Sequence, residues 1–305
     1  AGTRPQSPGV RVDRDQGVGV TWFPVWGGRR FERAQVSWGL AAALWRRVRE
    51  FDIVHSHGIF TFTTGASDTI CRARKVPFVM RPCGSLDRWC LGQGSRLKVP
   101  FLAALTRPGL RAARFVHCTS QMEAHEVLQV EPRARVRVIG GGINLDSLED
   151  ASVPDLDPAR GRYVLFVGRL HPIKGLEVLV EAFAQLGRES PDLQLVLAGP
   201  DEGMQGAIEQ QARRLGVAHR IRLPGLVAGA AKRKLLADAE AFVLPSYHEN
   251  FGTATLEAAS VGTPVVVSTG VALHTDVEAA RAGEVSRPEA TELAAAIRRV
   301  LERPK

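Results

Sequence analysis

Two carboxylates, Glu249 and Glu257, stand with seven residues between them in PSYHENFGTATLEAASVGTPVVVS, residues 245–268. Ionised carboxylates only accept hydrogen bonds, so such a pair matches the vicinal hydroxyls of a sugar or a ribose. Each charge-assisted bond of this kind contributes about 1.5–3 kcal/mol. The loop YHENFG leads into a helix expected from about residue 252, and Asn250, Phe251 and Gly252 offer backbone N–H groups at its start. The competing reading is a capping acid followed by a solvated helix residue. Against it, Glu257 is flanked by Leu256, Ala258 and Ala259, a poor setting for a solvated face. A second constellation lies in VGRLHPIKG, where Arg169 and Lys174 project from one loop that opens a helix. Helix N-termini favour anions through free N–H groups and the dipole, and two added cations suit a diphosphate. The plainer alternative is a solvated basic turn eased by Gly175. In PDEG, Asp201 and Glu202 read as acids that bias a helix start.

Strands must present these loops. RYVLFVG (162–168), LQLVLAG (193–199), AFVLPS (241–246) and PVVVST (264–269) are short, nearly continuous apolar runs, with weaker runs at 220–225 and 283–287. Strands buried on both faces of a parallel sheet read this way. Amphipathic stretches at 175–187, 204–215, 230–239 and 289–301 alternate with them, which predicts a doubly wound α/β domain. In such a sheet ligands sit beyond the carboxyl ends of the strands, where both constellations fall. The N-terminal half repeats the pattern less cleanly, with strands expected at 19–25, 52–56, 77–81, 114–118 and 136–140 and helices at 38–50, 64–74, 97–106 and 121–129. The expected organisation is a domain over 1–145, a Gly/Asp/Pro-rich linker over 146–160 and a domain over 161–305, with a ligand-binding cleft between the two.

The 305 residues carry a formal charge of +8, which favours an anionic partner. Nucleic acid is not expected, because no basic stretch is interleaved with stacking aromatics. The four cysteines lack CxxC or zinc spacing and read as free thiols in a reducing compartment. No apolar run approaches the roughly 20 residues of a membrane-spanning helix. The segment 94–115 carries Arg96, Lys98, Arg107, Arg111 and Arg114 among apolar residues, a pattern suited to an anionic membrane surface, although Pro100 and Pro108 oppose one long amphipathic helix. Two acidic triplets, Asp13-x-Asp15 and Asp155-x-Asp157, follow no convincing apolar strand and are read as loop acids rather than metal ligands.

Taken together, VGRLHPIKG, LAGPDEG and HENFGTATLEAASVGTPVV resemble the nucleotide-sugar half of the retaining GT-B glycosyltransferases of glycosyltransferase family 4. FDIVHSHGIF and VPFVMRPCGSLDRW resemble the acceptor half of the same family more weakly. The resemblance implies two Rossmann-like domains facing a cleft. It implies that Glu249 contacts the donor sugar, that Glu257 holds the ribose, and that Gly168, Arg169 and Lys174 clamp the diphosphate. N–H groups around Phe251, Gly252 and Thr253 complete the phosphate site, and backbone from Leu223 to Leu226 holds the base. Configuration is retained by front-face attack as the diphosphate leaves, which suits a sequence with no obvious nucleophile. The implied partners are a nucleotide-diphosphate sugar and a glycan or lipid-linked acceptor in surface polysaccharide synthesis. No cofactor and no essential metal are expected, and the location is cytoplasmic, with peripheral contact on the inner membrane face.

The chain departs from the family in places. Many members have His where RPCGSLDRW has Cys83, which puts a side-chain role there in doubt, and Gly84 follows it as the other acceptor-side candidate. His57 ends a strand at the expected cleft and is a candidate catalytic residue, the plainer reading being local hydrogen bonding. Nothing at residues 1–16 matches the usual first strand and glycine-rich loop, so an incomplete N-terminal domain and truncation at both ends are expected. The alternatives are a nucleotide-sugar epimerase or glycosyl phosphorylase on the same architecture, or a non-catalytic nucleotide-sugar-binding fragment.

Overall fold

Runs such as YVLFV and QLVLA can bury both faces only inside a helix-covered parallel sheet, and the computed structural model places them there. It describes residues 11–15, 17–26, 34–92, 98–144, 161–187 and 190–303. The chain divides into two compact units, Ala1–Ile139 and Gly140–Lys305. The expected linker, 146–160, lies outside the described residues, as do Asp155, Asp157 and Arg96.

In the first unit, β1 (Arg11–Asp15) and β2 (Val18–Trp22) form an antiparallel hairpin, followed by α1 (Trp38–Arg47), β3 (Val54–His57), α2 (Phe62–Arg74), β4 (Phe78–Arg81) and α3 (Arg88–Gly92). The helix expected at 97–106 divides into α4 (Lys98–Phe101), a π-helical segment (Leu102–Thr106) and α5 (Arg107–Ala112), one continuous helical run that contains Pro108 just after the π-helical segment. Then come β5 (Phe115–Cys118), α6 (Gln121–Val130) and β6 (Val136–Val138). Strands β3-β4-β5-β6 form a parallel sheet in that order. The strand expected at 19–25 pairs in the hairpin and not in this sheet. Its residues and those of β1 are almost all exposed, so no buried face draws them into the core. Asp13 and Asp15, read as loop acids, therefore lie in a strand, where Asp13 pairs with Arg11 at 2.6 Å.

In the second unit β7 (Tyr163–Val167), α7 (Leu176–Leu186), β8 (Gln194–Ala198), α8 (Gln205–Arg214), β9 (Ile221–Gly225), α9 (Gly229–Asp238), β10 (Ala241–Leu244), α10 (Thr253–Ser260), β11 (Val265–Ser268), α11 (His274–Ala280), β12 (Gly283–Ser286) and α12 (Ala290–Leu301) follow one another. All six strands are parallel, in the order β12-β11-β10-β7-β8-β9. Phe166, Phe183, Phe242, Leu165 and Leu197 are among its largest fully buried side chains. Helix α11 was not anticipated: its only fully buried residue is Val277, too little for a periodic signal. Among the described residues no helix is long and apolar enough to cross a membrane.

Candidate active site

The strand order turns round between β7 and β10, so the connections leaving these neighbours diverge to opposite sides of the sheet. Such a switch point opens a crevice at the carboxyl ends of the strands. The loops there are 168–175, after β7, and 245–252, after β10. They are fastened together. Tyr247 N donates to Ile173 O at 2.9 Å. Gly175 is left-handed (φ 62°), and a Cβ added there would lie 2.4 Å from Pro245 O, so only glycine permits this approach. The second loop is pinned on its other side, with Glu249 N donating to Gly270 O at 2.8 Å and Ala272 N to Glu249 O at 2.9 Å. Gly252, left-handed at φ 86°, turns the chain into α10. Thr255 N turns back to donate to Gly252 O at 2.8 Å, while the two amides ahead of it, Thr253 and Ala254, stand where a helix start leaves N–H groups without an intrahelical acceptor.

The charged side chains meet in pairs. Lys174 Nζ binds Glu249 Oε2, with both side chains mostly buried. Glu257, on α10, pairs with Lys232 of α9 at 2.5 Å. Arg169 turns outward to Glu202 at 2.6 Å, and this pair is exposed. Thus Lys174 and Glu249 come together, Glu257 joins a lysine that the sequence pattern had not singled out, and Arg169 is held by the acid of PDEG. Asp201, the other acid of that segment, accepts from the backbone N–H groups of Gly203, Met204 and Gln205, which holds its carboxyl below the usual range and starts α8. Gly168 follows β7, and its N–H donates to Ala198 O at 2.9 Å. Phe251 is half-buried against the core, Asn250 is half-buried beside it, and Leu226 is exposed just beyond β9. His171 caps the 3-10 turn Pro172–Lys174, its Nδ1 accepting from Ile173 N; burial, then Arg169, hold its pKa below the usual histidine range. Tyr247 donates to Glu177 at 3.0 Å, and burial together with that bond pushes its phenol up to about 12.

In the first unit His57 closes β3, its ring 4.3 Å from that of His55, which stacks in turn 5.4 Å from His117. Burial, then the Arg81 charge, hold His57 below the usual imidazole range. Burial, then the neighbouring His57, likewise hold His55 below that range. Cys83 and Gly84 form the turn beyond β4, both left-handed at φ 56° and 71°. Cys83 is exposed, and its thiol donates weakly to Arg81 O at 3.6 Å. Gly84 N donates to Glu123 Oε1 at 2.7 Å, and the other Glu123 oxygen accepts from Thr119 N at 2.7 Å. Glu123 is a residue the sequence reading missed. Its signal is the capping spacing Ser120-x-x-Glu123 at the start of α6, with Glu123 N donating to Ser120 Oγ at 3.1 Å. Among the described residues no group of three or more His, Cys, Asp or Glu is placed to hold a metal ion.

Residues 149–305 match the family model described as glycosyl transferases group 1, and residues 1–142 match the glycosyl transferase 4-like domain. The chain is 29% identical over 276 residues to an uncharacterized glycosyltransferase of Methanocaldococcus jannaschii, covering 85% of this chain and 67% of that protein. It is 30% identical over 307 residues to D-inositol 3-phosphate glycosyltransferase 1 of Catenulispora acidiphila, covering 92% and 71%. A D-inositol 3-phosphate glycosyltransferase of a Mycobacterium species matches at 27% over 233 residues, which is 51% of that protein's length. Among solved structures, sucrose-phosphate synthase of Thermosynechococcus elongatus superposes with a TM-score of 0.76 at 23% identity, over 97% of this chain and 77% of that one. Anabaena HepE in complex with UDP and glucose superposes with 0.71 at 24%, over 86% and 71%. These structural likenesses establish the GT-B fold of two Rossmann-like domains. By its sequence and its fold, the chain belongs to the glycosyl transferases group 1 family.

Proposed function

We propose that the chain is a retaining hexosyltransferase that moves a sugar from a nucleoside-diphosphate sugar to a glycan or lipid-linked acceptor in surface polysaccharide synthesis, without an essential metal ion. The observation that carries this reading is the Lys174–Glu249 pair at the switch point, with the N-terminus of α10 directly after it. A diphosphate replaces the carboxylate on Lys174, and Arg169, Gly168 and the amides of Phe251, Gly252 and Thr253 complete its cradle. Glu249, once released, accepts hydrogen bonds from the sugar, and Glu257 from the ribose. The base rests on the backbone from Leu223 to Leu226 at the end of β9, and Asn250 also serves the donor side. As the anomeric C–O bond breaks, charge grows on the departing diphosphate, where fixed cations and amides stabilise it without reorganising. The acceptor hydroxyl attacks from the same face and passes its proton to the leaving diphosphate. His57, Cys83 and Gly84, in the first unit, serve the acceptor side.

The complexes of Anabaena HepE with UDP, and with UDP and glucose, support a nucleotide-sugar donor. The net charge of +8 supports an anionic acceptor or membrane face, with the protein working in the cytoplasm at the inner membrane surface. Calorimetric titration with UDP, GDP and ADP in EDTA, on the chain and on Glu257→Ala, tests the donor site. The expected result is micromolar binding of one nucleotide, weakened at least about tenfold in the variant. Failure of all three to bind refutes the donor-site assignment, and turnover of a nucleotide sugar that proceeds without any acceptor refutes transfer.

A further inference from the structure

Helix α9 turns Leu235 and Leu236 into the core. Helical periodicity adds position 232 to that stripe, the slot three and four residues ahead of the two leucines. An apolar side chain is expected there, and a lysine occupies it. Its neighbours Arg233 and Lys234 are exposed, as surface cations ordinarily are, whereas the Lys232 side chain is only 20% exposed. Lysine is rarely placed inward unless its charge is answered. The answering group is Glu257, itself 15% exposed, with Nζ and Oε2 2.5 Å apart. A local rule broken in two adjoining helices at one point is the mark of a site rather than of packing.

We propose that Lys232 is a positioning residue for nucleotide recognition, a role resting on the donor-site reading above. By occupying Oε2 it fixes the rotamer of Glu257 and leaves Oε1 as the acceptor turned to the nucleotide. One carboxylate oxygen has two lone pairs, so Oε1 alone serves the adjacent 2′- and 3′-hydroxyls of a ribose. Lys232 lies one turn into α9, just after the short loop that begins at Leu226, so the brace stands at the nucleoside end of the site. Its effect falls on recognition of the ribose and not on the diphosphate, which belongs to Lys174 and Arg169.

The test uses calorimetry on the whole chain, with whichever of UDP, GDP and ADP the wild type binds, its 2′-deoxy analogue, and inorganic pyrophosphate. Lys232→Met should weaken the ribonucleotide about tenfold, shrink the preference over the deoxy analogue, and leave pyrophosphate unchanged. Lys232→Arg should restore part of the preference. Because Lys232 acts through Glu257, Lys232→Met added to Glu257→Gln should cost no more than Glu257→Gln alone. Additive losses, an equal loss for pyrophosphate, or an undiminished preference in Lys232→Met each overturn the role of Lys232 while leaving the donor site standing. A wild type that binds none of the three nucleotides overturns both.

Discussion

Each cation assigned to the diphosphate already holds a carboxylate, and the strength of that hold differs. Arg169–Glu202 is exposed, and pairs of that kind contribute roughly 0–1 kcal/mol. Lys174–Glu249 is shielded, so displacing Glu249 is the larger cost of admitting a diphosphate. Glu249→Gln should therefore bind the bare nucleoside diphosphate severalfold more tightly than wild type, while transfer falls by about a hundredfold or more because the sugar loses a charged hydrogen bond. Paired titration and rate measurements check the opposite signs, and a variant that loses both together refutes the exchange of anions on Lys174. The glutamates, Arg169 and Lys174 were legible in the sequence because each lies in or just beyond a loop that follows an apolar strand run. Their resting partners Glu202 and Lys232 were not, because those pairs join segments far apart in the chain, and no local pattern encodes them. Asp201 was legible as an acid at a helix start, and it caps α8 with three N–H groups.

At the scale of elements, the meeting of loops 168–175 and 245–252 depends on the missing side chain at Gly175. Gly175→Ala must hold alanine in a left-handed conformation, costing about 1–2 kcal/mol, and its Cβ meets the Pro245 carbonyl. The expected outcome is a loss of about 2–4 kcal/mol in urea unfolding, accompanied by weaker nucleotide binding. An unchanged midpoint would mean that the two loops are not held together in solution. Strands β7, β8, β10 and β11 were readable because burial on both faces leaves continuous Val/Leu runs, the half-buried edge strands β9 and β12 only as weaker runs, and helices α7, α8 and α12 because an apolar stripe recurs along each, a stripe that Lys232 interrupts in α9. The β1–β2 hairpin was not, since its exposed strands RVDRD and VGVTW are specified by backbone pairing across Gly17 (φ 83°) and not by a buried face. The π-helical segment within 98–112 likewise leaves no mark in apolar spacing.

Over the whole molecule, charge is divided unevenly. The first unit, Ala1–Ile139, has 22 Lys and Arg against 10 Asp and Glu, a formal +12, and the second unit is therefore −4. The unit with the acceptor-side candidates thus holds all of the positive excess, the side on which the proposed anionic acceptor or membrane face would be attracted. Vesicles containing phosphatidylglycerol should sediment the chain at low salt and release it as ionic strength rises, while phosphatidylcholine vesicles should not. Sedimentation indifferent to lipid charge would remove the membrane from the list of partners. The two-domain organisation itself was visible in the sequence, because a Gly/Asp/Pro-rich stretch separates two series of strand and helix patterns. The reversal of strand order in the second unit has a further consequence for the chain as it is made. Strands β7, β8 and β9 leave the ribosome first and can pair at once, but the other edge of β7 waits for β10. Until Ala241–Leu244 has been synthesised, the wholly apolar strand Tyr163–Val167 keeps one row of backbone groups unpaired, an invitation to pair with another nascent chain. The edge that later closes the crevice is thus the one most in need of protection at birth.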